Sequence, residues 1–355
     1  MSTVSWHLDY LDSLRSIAVL GVVLIHSHMM LGYTIPLSPV LAAIIDSGGY
    51  GVGLFFIVSA FTLFLSHDNR KDEASPTRSF FIRRFFRLAP MLYIAILLEH
   101  ILLPRYGGGS KEMLLAALFI GGLHPTTIHA GALGGWSVAD EALFYLCLPL
   151  LFWAIKSLKA ALVWLTISLP IAFVVSHLLA RAYPQYDGYG YFRLFWFVGQ
   201  FPIFLMGIVA YFIWKRSSKD NKGASLALLA GVGVCYVLLL PFTARNFYQV
   251  GLVYAILLLS VALHPWRILV NPVTRFLGRI SYSIYLLHFY PCYLLHRWNV
   301  SFPVVVIGTL WVSIPAAYLT WKFIEEPGIA LGRRVIKRSE SKSMREIECL
   351  TTQEF

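Results

Sequence analysis

The sequence predicts an all-α fold, a polytopic transmembrane helical bundle of about ten spans with both termini on the cytoplasmic side. Three observations predict it. Hydrophobic residues fill 58% of the 355 positions and charged residues only 13%, where a water-soluble domain carries roughly 25% charge. Mean hydropathy is +0.68. Apolar runs close to the ~20 residues that cross ~30 Å of hydrocarbon recur along the chain, whereas a barrel would show short alternating segments.

The expected spans are 12–32, 48–66, 85–104, 136–155, 160–180, 195–214, 224–241, 247–263, 280–297 and 303–321. Met113 to Leu123 is too short to cross and carries Gly121 and Gly122 at its end, so it reads as an interfacial or re-entrant helix. Residues 1–330 form one membrane domain, and 331–355 are expected to be a polar cytoplasmic tail without regular structure.

Lys and Arg accumulate on the cytoplasmic side of membrane proteins, which tests the count. Ten spans with the N-terminus inside put Arg70, Lys71, Arg78, Arg83, Arg84 and Arg87 in one cytoplasmic loop and Lys215, Arg216, Lys219 and Lys222 in another. Only Arg105, Lys111, Arg181, Arg193, Arg245 and Arg297 of the 29 basic residues then face outward. A crossing at Met113–Leu123 would invert every later loop. The net charge of +11 thus describes an inner face suited to anionic lipid and anionic cytosolic ligands, and no nucleic acid is invoked.

Asp9, Asp12 and Arg15 precede the first apolar run without a small-residue cleavage site, so an uncleaved first helix is expected rather than a signal peptide. Cys147, Cys235, Cys292 and Cys349 show no CxxC spacing; neither a disulfide framework nor a zinc or other metal site is expected. GxSxG, P-loop, HExxH and dinucleotide fingerprints do not occur, so the usual soluble-enzyme chemistries are not signalled.

An ionisable side chain at the bilayer centre costs roughly 2.5–3.5 kcal/mol on insertion scales, so each one asks for a partner or a function. Arg15 and His26 stand eleven residues apart, and eleven steps of about 100° return to within about 20° of the same helical face. Both are therefore expected to line one cavity. Their axial separation of about 16 Å resembles the reach of a pantetheine arm, with Arg15 on a CoA phosphate and the thioester at His26. A bundle-facing histidine bonded to a backbone carbonyl fits the same position.

The fourth span opens with Trp136, Ser137, Asp140, Glu141 and Tyr145. Ser137, Glu141 and Tyr145 recur every four residues, which stacks a hydroxyl, a carboxylate and a phenol on one stripe. Glu141 can orient a base such as His26 or itself accept a proton from a sugar hydroxyl. Alternatively, Ser137 caps the helix and the two acids favour its positive end. Arg83, Arg84 and Arg87 offer phosphate-sized forks or serve as ordinary positive-inside anchors. Arg279, Ser281, Tyr282, Ser283, Tyr285 and His288 make a span too polar to face only lipid, with His288 read as catalytic or as a structural hydrogen-bonding group.

At these residues the sequence resembles the acyltransferase 3 family of membrane O-acyltransferases. Tyr10-Leu11-Asp12-Ser13-Leu14-Arg15 with His26 is similar to its Arg-x10-His opening, and GVGLFFIVSAF from Gly51 to Phe61 to its second-helix signature. Arg84-Phe85-Phe86-Arg87 matches its Arg-x-x-Arg pair, and Ser137, Glu141 and Tyr145 after Trp136 match its Ser-x3-Glu-x3-Tyr pattern. Leu277 through His288 and Phe323-Ile324-Glu325-Glu326-Pro327 resemble its closing motifs. The chain departs from the pattern at Ser13 and Ser16, Gly53, Ala60 and Ala142, where the family commonly has glycines, an aspartate, a glycine and a second glutamate.

The resemblance implies ten membrane helices, acyl-CoA as donor and a carbohydrate or related hydroxyl as acceptor, with the Arg15 and His26 pair essential. The expected enzyme is an O-acetyltransferase of the bacterial inner membrane, with acetyl-CoA as a substrate and no tightly bound cofactor. Its phosphates are expected on Arg15, Arg84 and Arg87. His26 would deprotonate the acceptor or briefly carry the acyl group, and Glu141 would fix its tautomer. Trp136, Ser137, Tyr145, Tyr282 and His288 are the expected substrate contacts. A transporter or flippase of acylated or lipid-linked glycans is the rival reading, since ten helices with buried polar groups also describe a transport path.

Overall fold

The computed structural model describes residues 9–32, 39–70, 73, 75–103, 108–128, 131–184, 195–218, 220–239, 247–298 and 300–353. Lys71, Arg105, Arg193, Lys219 and Arg245, which enter the charge argument, lie outside them. Among the described residues all regular structure is helical. The helices are α1 (Asp9–Met30), α2 (Pro39–Ser47), α3 (Gly51–Asp68), α4 (Pro76–Leu102), α5 (Ser110–Ala117), α6 (Gly135–Ala154), α7 (Leu158–Ala182) and α8 (Phe197–Arg216). They continue with α9 (Lys222–Leu239), α10 (Phe247–Leu263), α11 (Pro272–Arg279), α12 (Ser281–Leu287), α13 (Phe289–His296), α14 (Phe302–Thr320) and α15 (Glu326–Gln353).

Seven helical segments among the described residues are long and apolar enough to cross a membrane: Asp9–Met30, Ile44–Asp68, Pro76–Leu102, Gly135–Ala154, Leu158–Ala182, Phe197–Arg216 and Phe302–Ser341. The three other expected spans are short or broken. Lys222–Tyr236 and Phe247–Leu263 are shorter apolar helices, and 280–297 divides at His288 into α12 and α13. Pro291 supplies the reason, because it has no N–H to give the Leu287 carbonyl one turn back. Length and composition alone therefore support a multi-pass bundle without reaching the count of ten. α5 covers eight residues, about 12 Å, and does not cross.

Two sequence expectations are corrected. Arg83, Arg84 and Arg87 are not in a loop: α4 begins at Pro76, so they ride its first three turns. Its 27 residues reach about 40 Å, longer than the hydrocarbon, which lets a cationic end project from an apolar helix. The segment after residue 331, expected without structure, is helical to Gln353. Beyond Gly332 it contains neither glycine nor proline, and its Lys, Arg, Glu and Met are good helix formers.

The centre of the bundle is α1, α3 and α8. Inside the protein lie 72% of the apolar window of Phe197–Arg216 and 67% of that of Ile44–Asp68, against 11% for α7. α7 therefore gives most of its surface to lipid. α1 packs on α3 and α11, α8 on α3, α7 and α10, and α15 on α4. Small residues allow the closest approaches, as usual where dispersion drives helix association. At Gly278 an added Cβ would fall 1.8 Å from the Asp12 carbonyl oxygen, so the α1–α11 crossing admits only glycine. Asp9 and Arg275 form an ion pair across the same crossing.

Candidate active site

One cavity gathers most of the polar side chains singled out by their spacing. Arg15 from α1, Ser59 from α3, Arg84 and Arg87 from α4, and Ser137 and Glu141 from α6 line it, and α12 closes it with Tyr282 and Tyr285. About 830 Å³ of space, part of it continuous with the exterior, lies between these side chains. Helical periodicity does the gathering, because Ser137 and Glu141 share one face of α6 and Arg84 and Arg87 share one face of α4.

The charges in this cavity do not balance. Glu141 is its one carboxylate among the described residues, and it accepts hydrogen bonds from Ser59 Oγ at 2.6 Å and Tyr145 Oη at 2.5 Å. Arg15 donates to Asp12 at 2.7 Å. Arg84 lies over the rings of Phe80 and Tyr145, 5.6 Å from each centroid, and its Nε is buried without a hydrogen-bond partner among the described residues. A desolvated guanidinium with an unsatisfied N–H is costly. An anion entering beside it removes that cost.

Ser137 does not cap α6. The helix starts after Gly134, and the hydroxyl lies 2.9 Å from the Gly134 carbonyl and 2.9 Å from Tyr285 Oη. Tyr285 Oη in turn donates to the Gly134 carbonyl at 3.0 Å. Gly134 adopts φ +77°, and a Cβ there would meet Tyr285 Oη at 2.8 Å, so the turn into α6 and the seat of Tyr285 both require glycine. Tyr282 lines the cavity and donates to the Leu88 carbonyl at 2.9 Å, tying α12 to α4.

His26 is not on the lining of this cavity. The expectation that it shares one with Arg15 is corrected to an adjacent position: Tyr285, which lines the cavity, has its ring centroid 6.0 Å from that of His288, and His288 holds His26. The contact joins His26 Nδ1 and His288 Nε2 at 2.8 Å. His288 Nδ1 faces only carbonyl oxygens, Tyr285 at 2.7 Å and Ile284 at 3.2 Å, so it carries the proton and donates. In neutral rings His288 Nε2 is then the acceptor and His26 Nδ1 the donor, which leaves the lone pair of His26 on Nε2. His288 therefore sets the tautomer that the sequence reading gave to Glu141, whose own partners are Ser59 and Tyr145. The alternative of a carbonyl-bonded histidine describes His288 and not His26.

Three expected substrate contacts stand behind the cavity wall. Trp136 packs between Phe56 and Phe195, with centroids at 6.2 and 4.4 Å; Tyr145 supports Glu141 and Arg84; His288 supports His26. Ser59 and Tyr285, which hydrogen-bond to assigned site residues, were among the lining residues missed. Ser59 is a lone hydroxyl in the apolar run from Gly51 to Phe61, and that isolation was its signal. Tyr285 was noted for polarity but not assigned to the site.

The bundle with this cavity defines a multi-pass helical protein with a polar, arginine-lined internal site, and the comparison with known proteins says which kind. A family model described as an acyltransferase domain matches residues 8–322. The chain belongs to this family, acyltransferase 3. Nodulation protein 10 of Rhizobium leguminosarum bv. viciae is 26% identical over 379 residues, covering 94% of this chain and 96% of that protein. A provisionally named O-acetyltransferase of Staphylococcus aureus (strain COL) is 23% identical over 364 residues. That match covers 89% of this chain, and the chain spans 56% of the staphylococcal protein's length. A provisionally named acetyltransferase of Acidianus two-tailed virus is 25% identical over 287 residues, 78% of this chain and 80% of its own length. No solved structure matches.

Proposed function

We propose that this membrane acyltransferase is an O-acetyltransferase of the bacterial inner membrane that moves an acetyl group from cytoplasmic acetyl-CoA to a hydroxyl of a cell-envelope or exported carbohydrate. The observation that carries the reading is the excess of guanidinium over carboxylate at Arg15, Arg84, Arg87 and Glu141 in one cavity. A CoA diphosphate has the charge and the bidentate acceptors to meet it. The names of the staphylococcal and viral relatives favour acetyl as the group moved.

The donor's phosphates rest on the three arginines and its thioester extends toward His26, about 16 Å further along α1. His26 Nε2 takes the proton of the acceptor hydroxyl as its oxygen attacks the thioester carbonyl. The C–S bond then breaks, and CoA leaves as a thiolate that regains a proton. Glu141, held by Ser59 and Tyr145, faces the donor and limits the positive charge of the cavity.

Purified protein in proteoliposomes with acetyl-CoA and a glycan extract is expected to release free CoA and to add an acetyl increment to the glycan by mass spectrometry. His26→Ala is expected to stop both while inserting normally. Glycan flux across the vesicle without CoA release would replace this reading by a transporter.

A further inference from the structure

A second cavity adjoins the first. It lies between the end of α3, the start of α4 and the end of α6, and its wall includes His67, Arg70, Phe80, Arg83, Arg84 and Phe152. Arg84 lines both cavities, which places them side by side. Three arginines and the rings of His67, Phe80 and Phe152 stand in this wall among apolar and hydroxyl side chains. The rings of His67 and Phe152 stack at 3.8 Å with 7° between their planes, and Phe80 meets Phe152 edge-on at 6.5 Å.

Two of these arginines already hold an anion from the chain itself. Arg83 donates through both terminal nitrogens to Glu73, at 3.1 Å to Oε1 and 3.0 Å to Oε2. Arg70 adds a third donor to Oε1 at 3.3 Å. Two parallel N–H donors on two oxygens is the geometry by which arginine also receives phosphate. Glu73 thus occupies a seat of phosphate shape on two arginines that share a cavity wall with His67, Phe80 and Phe152.

We infer that this second cavity seats the nucleotide end of the acyl donor, a 3′-phosphorylated adenosine whose phosphate displaces Glu73 from Arg83 and Arg70 while the base lies along the aromatic wall of His67, Phe152 and Phe80. The inference rests on the acyl-CoA reading and extends it. Three phosphates are then shared between two groups of arginines, the 3′-phosphate in the outer cavity and the diphosphate at Arg84, Arg87 and Arg15. Glu73 acts as an internal competitor, so its removal strengthens binding.

The full-length protein is titrated with adenosine 3′,5′-bisphosphate by calorimetry, and its kinetics are compared for acetyl-CoA and 3′-dephospho-acetyl-CoA. Arg83→Gln is expected to raise the KM for acetyl-CoA about tenfold, as loss of one charge-assisted contact does, and to change that for the dephospho donor by less than about twofold. Glu73→Gln is expected to lower the Kd of the bisphosphate, an effect opposite in sign to damage and independent of how Arg83→Gln folds. Equal effects of Arg83→Gln on both donors, or no tightening in Glu73→Gln, would overturn the assignment. Phosphatidylglycerol vesicles that fill the seat while the bisphosphate does not bind would give it to a lipid headgroup and also overturn it. Binding tightened by Glu73→Gln in a protein that releases no CoA supports this site and removes the acyl-transfer reading. CoA release without bisphosphate binding or competition keeps that reading and removes this site.

Discussion

His26 Nδ1 and His288 Nε2 meet at 2.8 Å, although 262 residues separate them in the chain. The opposite nitrogen of His288 is committed to the Tyr285 and Ile284 carbonyls, so the pair is directional and ends in a lone pair on His26. His288→Ala is expected to lower kcat by about 10–100-fold, the usual cost of losing a group that orients a working histidine, with the donor KM little changed. His288→Gln, whose amide oxygen still accepts a hydrogen bond, should recover part of that loss. Equal kcat in wild type and His288→Ala would remove the positioning role.

Glu141 tests whether the carboxylate of the cavity works or only balances charge. Glu141→Gln keeps the size and one acceptor for Ser59 and Tyr145 but deletes the charge. If the carboxylate takes part in proton transfer, kcat falls by about 100-fold or more. The apparent donor affinity should hold or improve, because a negative charge has left a phosphate site. A higher donor KM with unchanged kcat would assign Glu141 to structural support of Arg84.

Arg84 and Arg87 are expected to act on donor binding. Alanine at either position should raise the acetyl-CoA KM about tenfold or more, with a matching rise in the inhibition constant of free CoA. Arg84→Lys should not restore Arg84, because lysine lacks the planar fork and the stacking that the Phe80 and Tyr145 rings receive. Steady-state kinetics with free CoA as competitor decides it.

Gly278 probes the α1–α11 crossing without touching the cavity. A methyl group there would overlap the Asp12 carbonyl, and overpacking of this kind costs about 1–3 kcal/mol or more. Gly278→Ala is expected to lower the thermal midpoint in detergent and to reduce the monodisperse fraction on size exclusion. An unchanged midpoint would mean that α1 and α11 separate more easily than their packing indicates.

Much of the site was legible before any coordinates. Arg84 with Arg87, and Ser137 with Glu141, reach the same cavity because residues three and four apart share a helical face whatever the helix packs against. Arg15, singled out by its eleven-residue spacing to His26, also lines the cavity. The spacing failed for His26, which is not among the cavity's lining residues and meets His288 instead, since a shared face says nothing about which neighbouring side chain stands opposite. It failed also for Tyr145, which ends the polar stripe of α6 yet turns to Glu141 and Arg84, and Trp136, one residue before that stripe, packs on Phe56 and Phe195.

What this sequence determined unaided is its solvent and its local periodicity: the all-helical, multi-pass character follows from how little charge 355 residues carry, and the polar stripes follow from 3.6 residues per turn. What only the tertiary structure decided is partnership. Ser59 on Glu141, His288 on His26 and Glu73 on Arg83 are set by how distant parts of the chain meet, and no spacing along one helix encodes which atom of another will stand opposite.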